Sequence, residues 1–143
     1  MNKVISKDRS TNRFDAMSIV LWVLQVLLAA AFLAHGVFFL SPPAEMMEVI
    51  NSTTPPALRL FIGVAEVLAA IGLTLPGITR IQPRLISWAA AGLMILMASA
   101  SVFHAMRGET SSAVTTAILF VVATFVAYMR WKVKPILARN TAQ

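Results

Sequence analysis

Few side chains in the long apolar runs of this sequence can carry charge or move a proton. They are His35, Glu66 and His104, with Arg59 at the edge of one run; Gln25, a neutral amide, is a further polar group inside another. An ionisable group at membrane depth is costly, so each asks for a partner or a use. Arg59 and Glu66 are seven residues apart, two helical turns, and share a helix face with Gly63 between them. A histidine near a glutamate can share a proton, orient a hydrogen-bonding ligand or clamp two helices together. Four uses fit these residues. One is an interhelical polar clamp, worth about 1–2 kcal/mol per bond. Another is a site for a quinone or other small molecule, with His and Glu as its hydrogen-bond partners. Proton-coupled transport and a bis-histidine haem between His35 and His104 complete the set.

Other chemistries lack their residues. The sequence has no cysteine, so it offers no thiolate, disulfide or iron–sulfur ligand set. Met94 and Met97 read as core filler rather than metal ligands, and no metal site is expected. No residue is assigned a catalytic role, and redox chemistry would need a cofactor or a partner. The net charge of +6 would suit nucleic acid, but the basic residues lie outside the apolar runs, which excludes that class.

The elements that must position these residues follow from hydropathy. Of the 143 residues, 58% are hydrophobic and 13% charged, against about 25% charged in a soluble domain; mean hydropathy is +0.77. A bilayer core needs about 20 apolar residues in a helix. Runs over 18–40, 58–75, 85–103 and 113–131 meet or nearly meet that length. The fold class is therefore all-α, an integral-membrane bundle of four transmembrane helices spanning 18–132. Polar tails flank it at 1–17 and 133–143.

Charge sets the expected orientation. Lys3, Lys7, Arg9 and Arg13 precede the first run, Arg80 and Arg84 lie between the second and third, and Arg130 sits at the edge of the fourth with Lys132, Lys134 and Arg139 after it. The first loop carries Glu45 and Glu48, and in the third Arg107 is offset by Glu109. Both termini are then cytoplasmic, in a multi-pass protein of the bacterial inner membrane whose first helix is an uncleaved signal-anchor. Trp22, Trp88, Tyr128 and Trp131 fall near the cytoplasmic interface as an aromatic belt.

Loops and contacts can be read as well. The long first loop, with two Pro-Pro pairs, is expected to hold a short amphipathic helix near Ala44–Ile50. Pro76-Gly77 is expected to close the second helix, and Ser111 or Ser112 to cap the fourth. Small residues mark helix contacts in lipid: Gly36, Gly63, Gly72 and Gly92 are the packing candidates, with alanines beside them, leaving little room for a wide aqueous pore. On this topology His35 lies about 7 Å below the outer end of its helix and Glu66 about 10 Å inside Arg59, at 1.5 Å per residue. His104 sits just past the third run, at its outer end. All four ionisable candidates thus fall in the outer half, on three helices. "AAAFLAHG" and "ASASVFHA", on parallel helices, share a small–apolar–His–small order that a duplicated hairpin would leave.

The stretch "RLFIGVAEVLAAIGLTLPGITRIQP", followed by "AAAGLMILMASASVFHAMRGE", resembles the DoxX / DoxX-like family of small bacterial membrane proteins. The residues that carry the likeness are Gly63, Glu66, Gly72, Leu73, Pro76, His104 and Glu109, with Gly36 to Leu40 in the first helix. The likeness covers roughly Ala29 to Glu109; the fourth helix shares only hydropathy. The family often has a Lys three residues after the glycine of the first helix, where this chain has Phe39.

The resemblance implies a four-helix membrane bundle. Relatives are linked to a thiosulfate:quinone oxidoreductase subunit, to quinone and oxidative-stress resistance and, in distant eukaryotic relatives, to receptor chaperoning. The expected function is a non-catalytic accessory or quinone-binding protein in membrane redox or stress physiology. Its partners would be the lipid bilayer, a membrane or periplasmic oxidoreductase, or further copies of itself. A structural or assembly factor is the alternative, and a small proton-coupled transporter a further one.

Overall fold

A computed structural model describes residues 16–139. The described chain is helical throughout: α1 (Ala16–Leu40), α2 (Ala44–Thr53), α3 (Pro56–Thr79), α4 (Leu85–Met106) and α5 (Thr110–Tyr128), which continues into a π-helical turn over Met129–Val133. Four of these helices, α1, α3, α4 and α5 with its π turn, are long and apolar enough to cross a membrane. The basic residues Lys3, Lys7, Arg9 and Arg13 lie outside the described residues.

The bundle runs up and down. α1 packs along α3, α3 on α4 and α4 on α5, and a smaller α1–α5 contact closes the ring. One end carries the start of α1, the α3–α4 loop and the chain after α5; this is the terminal end. The other carries α2 and the α4–α5 turn; this is the loop end. The centre is filled by Leu28, Phe32, Leu73, Ile86, Leu93 and Val126, with the small Ala70, Ala90 and Ala123 where helices meet. The outward surface is as apolar as the core: Leu27, Phe61, Ile95 and Ile118 are each more than half exposed. A surface of that kind suits hydrocarbon, where every backbone group must be satisfied within a helix. Hydroxyls obey the same demand, Thr124 donating to the Phe120 carbonyl at 2.7 Å and Ser101 to the Met97 carbonyl at 2.8 Å.

Three expected boundaries shift. Pro76 does not close the second span; it lies inside α3, buried with Gly77, and the helix runs on to Thr79. Proline removes one backbone donor, but ending the helix in lipid would strand several groups, so continuing costs less. The helix ends instead at Arg80, in the left-handed region at φ 57°. Neither Ser111 nor Ser112 caps α5: Glu109 holds the N-cap position, and the Ala113 amide donates to its carbonyl at 2.9 Å. Finally, α2 runs three residues beyond Ile50.

Candidate functional site

Glycine brings α1 and α3 together. A Cβ on Gly36 would sit 2.9 Å from the Gly63 carbonyl oxygen and 3.1 Å from Glu66 Cβ; one on Gly63 would sit 2.8 Å from Leu40 Cγ. These separations lie below normal contact, so the helices meet backbone to backbone here. The close crossing lets the side chain just before Gly36 reach the one three residues after Gly63. His35 donates from Nδ1 to Glu66 Oε2 at 2.6 Å. The two differ sharply in burial: the Glu66 side chain is 2% exposed and that of His35 is 51% exposed. Phe39, one turn on, lays its ring against the imidazole with centroids 4.4 Å apart. At the mouth of the same seam, the buried Arg59 donates from Nη1 to the Phe39 carbonyl, and its Nε is buried without a partner.

This geometry defines what the pair can do. With Nδ1–H engaged by the carboxylate, the far ring nitrogen, Nε2, is the one left to meet a ligand. It accepts a hydrogen bond when the imidazole is neutral and donates one when the pair takes up a proton. Glu66 fixes the ring orientation, as carboxylates do for catalytic and metal-bound histidines.

The expected four-residue cluster divides in two. His104 is not bonded to Glu66: its Nδ1 donates to Glu109 Oε2 at 2.5 Å, and Arg107 Nε donates to Glu109 Oε1 at 2.7 Å. The reason is register: Gly72 faces Ala89 across the α3–α4 contact, so Glu66, six residues nearer the loop end, lies level with about Ile95, and His104 lies roughly 13 Å beyond it. Arg59, likewise, reaches the Phe39 carbonyl and forms no ion pair with Glu66. The Arg107 guanidinium, and after it His104, holds the Glu109 carboxyl below its ordinary value. Gly108 makes this turn possible with φ 71°. Among the described residues no group of three or more His, Cys, Asp or Glu could hold a metal ion.

Of the packing glycines, Gly72 would press a Cβ to 2.8 Å from that of Ala89 on α4, whereas Gly92 faces outward with nothing within 4 Å. Gly92 is thus no helix contact within one chain.

Sequence reasoning missed one polar centre. Gln25 is fully buried, donating from Nε2 to the Leu73 carbonyl at 2.7 Å and accepting from Arg130 Nε at 2.6 Å. Arg130 read as a boundary charge; it turns inward and is only 5% exposed. Its guanidinium lies over the Trp22 ring at 5.7 Å. The signal available was Gln25 itself, a polar residue inside an apolar run and within an arginine's reach of the terminal end.

A lipid-facing helical bundle with a buried carboxylate orienting a surface histidine defines the class, a polytopic membrane protein with a polar seam between two helices. A model of the DoxX-like family matches residues 23–126, and the chain belongs to that family. No curated protein and no solved structure matches it.

Proposed function

We propose that this protein is a non-catalytic accessory protein of membrane redox or stress physiology that binds a small lipophile of the quinone type at His35. One observation carries the reading: a buried Glu66 orients a histidine whose side chain is half exposed on the bundle surface. A purely structural clamp would bury both partners, because a polar ring edge left in hydrocarbon loses its hydrogen bonds. A carbonyl-bearing ring diffusing in the bilayer can supply that bond and lie beside Phe39. On the charge asymmetry, the terminal end is cytoplasmic in a bacterial inner membrane and the His35–Glu66 pair lies in the outer half. An oxidoreductase partner would perform the electron transfer.

The test is binding of a short-chain benzoquinone analogue to the purified protein in nanodiscs. Saturable binding is expected, weakened about fivefold in His35→Gln, the factor that a hydrogen bond of about 1 kcal/mol carries. Absence of binding by the unmodified protein removes the quinone reading.

The structural or assembly role keeps one observation in its favour, the close Gly36–Gly63 crossing, which already locks α1 to α3. Under that reading Glu66→Gln lowers the melting temperature and any cellular phenotype tracks the loss of stability.

A further inference from the structure

At the terminal end, away from His35, a cleft of about 420 Å³ opens between α1, the end of α3 and the chain after α5. Ser18, Trp22, Gly77, Arg80, Arg130 and Lys134 are among its lining residues, and among the described residues no acidic one lines it. Its floor depends on Gly77, where a Cβ would stand 2.7 Å from the Trp22 ring and 3.2 Å from Ile136 Cδ1. The chain after the π turn folds back over α3, the Arg139 amide donating to the Arg80 carbonyl at 3.0 Å, so the cleft is bounded by ordered backbone.

Arg130 is the informative residue. Its Nε donates to Gln25, its Nη1 to the Lys134 carbonyl at 3.3 Å, and its ring-facing side is taken by Trp22. The guanidinium is therefore held in one orientation. Nη2 is buried and has no acceptor, and among the described residues no carboxylate forms an ion pair with this group. A buried guanidinium with an idle donor and no counter-charge is expensive. Two helices end here, and their terminal carbonyls draw cations. That accounts for the basic residues but leaves Nη2 unsatisfied.

We infer that this cleft is a phosphate-class anion site. A tetrahedral oxyanion supplies acceptors for Nη2 together with the exposed Arg80, and arginine's planar fork suits phosphate. The anion has two sources, the headgroup of an anionic phospholipid in the adjoining leaflet or a soluble phosphate.

The full chain in nanodiscs separates them. In one arm, purified protein is released from mixed phosphatidylglycerol and phosphatidylcholine and its retained lipid is read by native mass spectrometry. In the other, inorganic phosphate is titrated onto protein in phosphatidylcholine nanodiscs while its melting temperature is followed. Preferential retention of phosphatidylglycerol, falling about fivefold in Arg80→Gln, supports a headgroup site; that factor corresponds to one surface cation. Saturable stabilisation by phosphate, lost in Arg80→Gln, supports a soluble anion. Arg80 is exposed and makes no side-chain bond that folding needs. Arg130→Lys is the second variant; it keeps the charge, loses the fork, and should weaken either signal while preserving the helical circular dichroism. No preference for phosphatidylglycerol and no response to phosphate in the unmodified protein overturns the inference, and the counter-charge for Arg130 is then the chain's own.

Discussion

Glu109 shows how one residue organises a turn. Its carboxylate accepts from Arg107 Nε at 2.7 Å and from His104 Nδ1 at 2.5 Å while its backbone starts α5. Arg107, and secondarily His104, favours the charged form, so the carboxyl titrates below the ordinary glutamate value of 4.5. A carboxyl lowered in the folded state stabilises that state fully above its unfolded value and ceases to do so as pH falls through the lowered one. The α4–α5 turn should therefore hold at neutral pH and loosen only below the ordinary carboxylate range. A carbon-13 titration of the Glu109 carboxyl would show a midpoint below 4.5, moving upward in Arg107→Gln. A midpoint unmoved by that substitution would mean that the ion pair does not govern the turn. Exposed pairs of this kind add little to global stability, so the expected readout is local.

At the scale of elements, the glycines make opposite predictions from the same residue type. Gly36→Ala forces a methyl against the Gly63 carbonyl and Glu66 Cβ; since a backbone atom cannot swing aside, it should destabilise by about 1–3 kcal/mol. It should also part His35 from Glu66. Gly92→Ala meets nothing within 4 Å and gains helix propensity, up to about 1 kcal/mol. Melting curves in detergent should separate the two variants, Gly36→Ala lower than the unmodified protein and Gly92→Ala equal or higher. Equal losses would show that the α1–α3 crossing is looser than these distances.

The same contrast marks what could be read without coordinates. Apolar run length alone located four spanning helices, because the bilayer imposes one length on all of them. Helix ends were harder to read. Pro76 is a terminator in water, yet lipid penalises the broken helix more, and α3 passes through it. Spacing put His35 and Glu66 in the same half of the membrane, but it left Arg59 and His104 as equal candidates for partners, because which side chains meet is decided by the helix crossing at Gly36 and Gly63. His104 was misplaced because the register of α4 against α3, which sets it well beyond Glu66 toward the loop end, is a tertiary choice that spacing does not encode. Arg130 was missed because an arginine at the end of an apolar run snorkels outward as readily as it turns in; only the buried Gln25 acceptor decides it.

For the whole molecule, the two ends differ in chemistry. The loop end carries His35, Arg59, Glu66 and the His104–Glu109–Arg107 turn, with Glu45 and Glu48 on α2. The terminal end carries Arg80, Arg84, Arg130, Lys132, Lys134 and Arg139 without a described acidic residue. Positive residues near span ends are retained on the cytoplasmic side, so the terminal end should face inward and the His35 seam should open to the outer leaflet. The absence of native cysteine makes a direct measurement possible. Ser52→Cys on α2 and Ile81→Cys in the α3–α4 loop both place a thiol at an exposed position. A membrane-impermeant maleimide applied to intact cells should label the first and spare the second until the cells are permeabilised. The reverse pattern would invert the bundle. It would put the half-exposed His35 in the inner half and the cationic cleft outside, where anionic headgroups are scarcer. Orientation therefore decides which leaflet serves each site, and a single pair of labelling reactions tests both assignments.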